Sequence, residues 1–327
     1  MIPAIQERFN DTILQDAANR YGTTLDGLKN LGGFESNVYE FHRDNHAYIL
    51  KVTHTIRRSV NYLLGELEWL NHLVDGGVSA SRCIPSTNGN LVEVIEENDG
   101  HSFLAMAYEK APGTRVPKEQ WGPNLFREWG RVIGRMHKLT QTYELRDPAL
   151  KRQEWYEEEC LQLRKYLADD PEVIAAGEEL LQRIHKLPQD ATSYGLCHTD
   201  LHQGNLHVTE DDSIVAFDFD DCGYNWFAND VAIILFYAMR YPSETYPTRA
   251  ATTEAFLTHF IAGYQEESEF NPEWLTLFPD FLRLRHLLLY IVMQQAGETI
   301  PEEYRQKLID GTPLVEFDFT TIAVPRA

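Results

Sequence analysis

Residues 198–223 constrain this chain more than any other stretch. The run opens His198-Thr199-Asp200-Leu201-His202-Gln203-Gly204-Asn205 and continues through Leu206-His207-Val208 to a polar Glu210-Asp211-Asp212-Ser213. It then reads Ile214-Val215-Ala216-Phe217 and ends in Asp218-Phe219-Asp220-Asp221-Cys222-Gly223. Two apolar runs around a polar turn are the signature of a β-hairpin. An antiparallel hairpin sets the start of one strand beside the end of the next. Asp200, Asn205 and Asp218 are therefore expected to converge although they are remote in sequence.

Taken singly, each is a common turn former. Taken together they say more. Asn205 and Asp218 offer hard oxygen ligands of the kind Mg²⁺ takes. The spacing His198-x-Asp200-x-x-x-x-Asn205, followed by an aspartate at a strand end, matches the catalytic loop and metal-binding Asp of phosphoryl transfer. On these residues the chain resembles the aminoglycoside phosphotransferase/choline kinase-like family, which shares the protein-kinase fold. Within that family it resembles bacterial homoserine-kinase-type and stress-response Ser/Thr kinase-like members, whose metal strand also reads Asp-x-Asp-Asp. The resemblance implies an α+β, bilobal protein-kinase-like fold with a small β-rich N-terminal lobe and a larger, mainly helical C-terminal lobe. The divisions expected are 1–107 for the nucleotide-binding lobe, 108–113 for a linker, and 114–327 for the catalytic and acceptor-binding lobe. It also implies Mg·ATP as co-substrate.

The bulk properties agree with this and exclude other classes. A chain of 327 residues is long for one core, so two lobes are expected. No apolar run reaches the length of a membrane span, and the N-terminal residues show no basic segment followed by an apolar core. Four widely spaced cysteines, Cys83, Cys160, Cys197 and Cys222, form no C-x-x-C pair. A cytoplasmic protein with free thiols is expected. With 29 basic and 50 acidic side chains the net charge is −21, which repels phosphate backbones and argues against nucleic acid. The same charge serves solubility and suits a cationic substrate.

Along the chain, Ile5, Phe9, Ile13 and Ala17 predict a helix over 4–20 that Gly22 ends. Strands are expected at Val38–Phe41 and 47–52, with a turn over Leu31 to Asn37 between short strands. Glycines let backbone amides approach phosphates. The run is not G-x-G-x-x-G, and Glu35 would repel a phosphate, so Ser36 and Asn37 are the expected donors. Lys51 lies in an otherwise apolar strand, where an unpaired ammonium is costly. The helix expected over 56–74 carries Glu66 and Glu68. Glu66 is the expected partner of Lys51, with Glu68 second. In the template this lysine holds the α- and β-phosphates. Strands at 91–95 and 102–108 precede the chain break at Glu109 to Gly113. Met106 to Lys110, and Met106 and Tyr108 above all, are expected to border the adenine.

Beyond residue 121 the pattern turns helical, with His137 read as a packing residue. Further helices are expected at 151–169, 171–187, 250–265 and 278–296, and at 231–237 a helix or buried segment. Asp230 is read as a cap or a brace for the catalytic loop.

Asp200 is the candidate base for an acceptor hydroxyl. Asn205 and Asp218 are the candidate Mg²⁺ ligands, with ATP completing the shell, and His198 is read as a brace. The acceptor is expected to be a small hydroxyl compound such as an amino alcohol, aminoglycoside or homoserine, with a Ser/Thr protein as the alternative. Candidates for its pocket are Asp220, Asp221, Tyr224, Trp226, Arg283, Arg285 and Tyr290. A rival from another class is a transition-metal hydrolase using His198, Asp200 and His202, with His207 nearby.

Overall fold

The structure, a computed structural model, describes residues 3–33, 36–240 and 246–324. Two units result. Unit 1 comprises Met1–Pro112, Tyr143–Arg152 and Val215–Asp220, and unit 2 comprises Gly113–Thr142, Gln153–Ile214 and Asp221–Ala327. The first exchange falls at Pro112/Gly113. Unit 1 also takes in two later segments that no contiguous division of the chain contains.

Unit 1 begins with two helices, α1 (Pro3–Gln6) and α2 (Asp11–Arg20), where periodicity predicts one. Asn10 causes the break. Its backbone is extended, and its side-chain oxygen accepts from Thr12 N at 2.9 Å and Ile13 N at 3.2 Å, an N-cap that starts α2 afresh. Next come β1 (Lys29–Gly32), β2 (Asn37–Arg43), β3 (His46–His54), α3 (Val60–Asp75), β4 (Cys83–Ile84), β5 (Glu93–Glu96) and β6 (Ser102–Glu109). The sheet order is β1-β2-β3-β6-β4, with β5 also on β6. Tyr108 and Glu109 are still strand.

Antiparallel register sorts the two faces. Val38 pairs with Lys51, and Lys51 with Met106; Glu40 pairs with Ile49, and Ile49 with Tyr108. Paired residues share a face and successive residues alternate. Tyr39, Phe41, Leu50, Val52, Ala105 and Ala107 therefore occupy the opposite face, where they form a buried core with Leu14, Ala17 and Tyr21 of α2. That core leaves the Lys51 face for chemistry. On α3, Gly65 admits the backbone of Leu150, whose carbonyl a Cβ would strike, which seats Tyr143–Arg152 in this unit. Ser81 N donates to the Ala216 carbonyl at 2.9 Å, seating Val215–Asp220.

Unit 2 contains α4 (Pro123–Thr140), α5 (Leu163–Tyr166), α6 (Pro171–Ile184), β7 (Tyr194–Cys197) and β8 (Leu206–Val208). The chain continues through β9 (Ile214–Ala216), which leads into unit 1, and then β10 (Gly223–Trp226), α7 (Phe227–Ala238), α8 (Arg249–Tyr264), α9 (Trp274–Gln295) and α10 (Glu302–Ile309). The turn after β8 closes with Thr209 N donating to the Ser213 carbonyl at 3.0 Å. β7 pairs antiparallel with β10, a contact that the sequence pattern did not suggest. The charged helix expected over 151–169 is absent. Short 3₁₀ turns at Trp155–Glu157 and Glu159–Leu161 stand there before α5. Glu154 and Glu157 cap one another's backbone in a closed turn, and Glu158 between the turns has ψ 120°. Trp155 and Arg152 are buried within this charge-rich run, while Glu157, Glu159, Arg164 and Lys165 are exposed.

α4 and α8 meet at backbone distance. A Cβ on Gly130 would collide with the Phe260 carbonyl, and one on Gly263 with that of Arg127. Helix propensity alone favours Ala over Gly by about 1 kcal/mol, but overpacking costs about 1–3 kcal/mol, and a backbone carbonyl cannot step aside. Gly130→Ala should therefore lower the urea unfolding midpoint. An unchanged or raised midpoint would show that the two helices can part freely.

Candidate active site

Unit 1 gathers charge around Lys51. Its Nζ lies 2.9 Å from Asp218 Oδ1 and 3.7 Å from Asp220 Oδ2, and the side chain is 14% exposed. Arg57 Nη2 holds the same Asp220 oxygen at 2.6 Å. Arg152 donates to the Asp220 carbonyl at 2.6 Å and to the Tyr62 carbonyl at 2.9 Å, with its guanidinium 3.5 Å from the Tyr62 ring. Burial works against the Lys51 ammonium, yet Asp220, Asp218 and Glu66 outweigh it and hold its pKa above the ordinary lysine value. Asp220 is likewise buried, and Lys51, Arg57 and Arg58 keep it below the carboxylate range.

The expected Lys51–Glu66 ion pair is not formed: Lys51 is turned to the two aspartates. Glu66 is buried on α3, accepts from the Tyr108 hydroxyl at 3.1 Å, and leaves Oε2 without a hydrogen-bond partner. Glu66 still acts on Lys51 through its field. Glu68 points to Arg146, 3.9 Å away. Met106 is buried beside Lys51 on the same face. Ser36 is buried with its hydroxyl unpaired, an available donor, and Asn37 opens β2. Gly33 sits at φ 141°, where a Cβ would strike the Ser36 carbonyl, so the turn demands glycine. Glu35 lies outside the described residues.

Asp218 is exposed and adopts φ 63°, a left-handed conformation that costs a non-glycine residue energy and gathers at functional sites. Its Oδ1 is taken by Lys51, and the exposed carboxylate is of the kind an oxygen-seeking cation takes.

Unit 2 holds the other half of the motif. Asn205 Nδ2 donates to the Asp200 carbonyl at 3.0 Å and to Asp200 Oδ2 at 3.2 Å, leaving the amide oxygen as an available metal ligand. His202 Nε2 is 3.5 Å from Asp200 Oδ2, and its Nδ1 accepts from Gly204 N at 2.8 Å. Arg285 of α9 donates to Asp200 Oδ1 and, at 2.5 Å, bonds the Tyr237 hydroxyl. Thr199, beside Asp200, also adopts a left-handed φ of 63°. Asp230 restrains it: Oδ1 accepts from Thr199 N at 2.8 Å, while Oδ2 is 3.1 Å from His137 Nε2. Burial opposes the Asp230 charge, but His137 and the Thr199 amide hold its pKa below the ordinary value. Asp230 is thus the loop brace that the sequence suggested. His198 is buried, with Nδ1 accepting from Asp200 N at 3.3 Å.

Several acceptor candidates prove structural. Asp220 is a buried salt-bridge partner rather than a loop acid. Trp226 donates to the Pro188 carbonyl at 2.8 Å, and the Tyr290 hydroxyl bonds Asp170 at 2.8 Å. Arg283 is buried near Asp280. Tyr224 is half-buried in β10 and Asp221 is exposed. The hydrolase ligand set does not assemble either. Among the described residues the cluster with metal-ligand spacing is His137, Cys197 and Asp230, whose His and Asp already bond each other. Sequence reading missed Arg57, Arg152 and Tyr237. Charge clustering around residues 57 and 152 was the available signal, but only burial distinguishes it from a solvated face.

Residues 27–278 match the family described as the phosphotransferase enzyme family. The chain belongs to that family. It is 47% identical over 322 residues, 95% of this chain and 96% of the relative, to an amicoumacin kinase of Bacillus subtilis (strain 168). Among solved structures, an amicoumacin kinase (hAmiN) in complex with AMP-PNP, Ca²⁺ and Ami is 41% identical, with a TM-score of 0.94 and 98% and 99% of the two chains covered. A microcompartment-associated aminopropanol kinase, at 23% identity and TM-score 0.71 over 92% and 94%, shares the fold. The fold is α+β and protein-kinase-like. The protein is an ATP-dependent kinase with a hydroxyl acceptor, and it uses a divalent metal with its nucleotide. Neither the protein-kinase nor the hydrolase alternative is favoured. No helix among the described residues is long and apolar enough to cross a membrane.

Burial first, then Asp220, pushes the Glu66 carboxyl up to about 7 from 4.5. Between those values the folded protein keeps a proton that the unfolded chain releases, so stability falls as pH rises through this window and levels off above it. Across it, the urea midpoint of Glu66→Gln should fall less than that of the wild type. Parallel curves would exclude Glu66 as the group responsible.

Proposed function

We propose that this protein phosphorylates a hydroxyl of an amine-bearing small molecule, with amicoumacin as the leading acceptor. The identity to amicoumacin kinase across nearly the whole chain carries this reading. Overall charge agrees with it. The net charge of −21 is in keeping with a cationic acceptor.

In this reading Lys51 takes the α- and β-phosphates, and Ser36 and Asn37 supply donors to them. Glu66 sets the field around Lys51 and is itself held by Tyr108, while Met106 and Tyr108 border the adenine. Asp218 and Asn205 would hold Mg²⁺, which would supply charge neutralisation for the phosphates. Asp200 accepts the proton of the acceptor hydroxyl as its oxygen bonds to the γ-phosphorus and the bond to ADP breaks. Residues 1–107, 108–113 and 114–327 would serve as nucleotide lobe, linker and acceptor lobe, except that Tyr143–Arg152 and Val215–Asp220 belong with the first unit and β6 runs on to Glu109. Four free cysteines and a net charge of −21 support a cytoplasmic protein that does not bind nucleic acid.

Purified protein with Mg·ATP should convert amicoumacin to a monophosphate detectable by mass spectrometry, ahead of homoserine, aminopropanol, an aminoglycoside and a Ser/Thr protein mixture. Faster turnover of any other acceptor would displace amicoumacin. Asp200→Asn should lower turnover by about 10²–10⁴ with ATP binding kept; full single-turnover transfer in that variant would remove Asp200 as base.

Mg²⁺ binding should be weak alone and much stronger with ATP, because so few protein ligands leave the phosphates to complete the shell. Asp218→Ala should abolish that gain, and His202→Ala and His207→Ala should keep it. Loss of metal in the histidine variants instead would favour the hydrolase ligand set.

A further inference from the structure

Asp200 is gripped from two sides within unit 2, by α9 and by its own loop. Arg285 of α9 bonds Oδ1, and Asn205 and His202 of the catalytic loop face Oδ2 at 3.2 and 3.5 Å. Tyr237 of α7 links the flanking groups. Its hydroxyl bonds Arg285 at 2.5 Å, its ring lies 5.0 Å from the guanidinium, and the His202 ring centroid is 4.8 Å from its own.

Such an arrangement needs a reason. The Arg285 side chain is 16% exposed, and taking a guanidinium out of water is costly unless carboxylates compensate it. Asp200 supplies the contact, and Asp221 adds to the field. An acid that only needed to stay soluble would not require a buried arginine. A base that must meet one hydroxyl in one direction does, because small misplacements of a reacting group are expensive. The planar guanidinium is always charged and pins an oxygen in direction as well as in charge.

We propose that Arg285 is a positioning residue for phosphotransfer: it acts through Asp200, fixing the carboxylate in the orientation that receives the acceptor's proton, and Tyr237 holds the guanidinium in place. This rests on Asp200 being the base. It also reassigns Arg285, which the sequence offered as a contact to the acceptor.

Steady-state and single-turnover kinetics with Mg·ATP and amicoumacin test it. The variants are Arg285→Gln, Arg285→Lys and Tyr237→Phe, each alone and combined with Asp200→Asn. Arg285→Gln should lower kcat by up to about 10²-fold while KM for both substrates holds. Arg285→Lys should recover part of the loss, and Tyr237→Phe should lose less than Arg285→Gln. In the Asp200→Asn background each change should cost little further, because residues acting through one group are not additive. Losses that multiply in the double variants would overturn the inference and leave Asp200 as base. So would a raised KM for amicoumacin with kcat kept, which would make Arg285 an acceptor contact. Wild-type turnover in Asp200→Asn would overturn the base assignment itself. Should Arg285→Gln fail to fold, the Lys and Tyr237→Phe variants carry the same comparison.

Discussion

A buried ammonium organises unit 1. Lys51 stands on a strand whose opposite face is apolar core, and such a charge survives only among opposite charges. The fold answers with Asp218 and Asp220, and then compensates Asp220 in turn with Arg57. Lys51 and Asp220 each face more than one opposite charge, so the buried charges stay compensated within the cluster. The consequence is a rigid, preformed cluster. Anionic phosphates and a cation could exchange partners within it without rebuilding the sheet.

Unit 2 answers a different constraint. Thr199 adopts a left-handed backbone next to Asp200, and such strain persists only where surroundings over-determine it. Asp230 does so by accepting the Thr199 amide while lying against His137, which in turn contacts Tyr264. The close approach of α4 and α8 places His137 and Tyr264 within reach of each other. Glycines that look like helix weaknesses in the sequence thus support the brace behind the catalytic loop.

The catalytic loop motif was legible because phosphoryl transfer needs few residue types at fixed spacing, and a loop keeps that spacing in the linear chain. Strands β2, β3 and β6 were legible from apolar alternation. The single helix expected over 4–20 failed at Asn10, because a side-chain cap overrides periodicity. The helix expected over 151–169 failed because Glu154 and Glu157 close a 3₁₀ turn and Glu158 turns the chain out of helical geometry, while Arg152 is drawn to the Tyr62 and Asp220 carbonyls. The pairing of β7 with β10 joins short segments on either side of the motif, and no local pattern announces a contact of that span.

The sequence by itself determined the kind of chemistry, the spacing of His198, Asp200, Asn205 and Asp218 along the chain, the strand carrying Lys51, and the acidic balance of the chain. These depend on residue type and on spacing along the chain. Only the tertiary structure decided which charges meet. It turned Lys51 to Asp218 and Asp220 rather than Glu66, buried Asp220 beneath two arginines, and brought Arg285 and Tyr237 to Asp200 from distant helices. Ion pairing depends on distance and burial through space, and neither quantity is written in the order of residues.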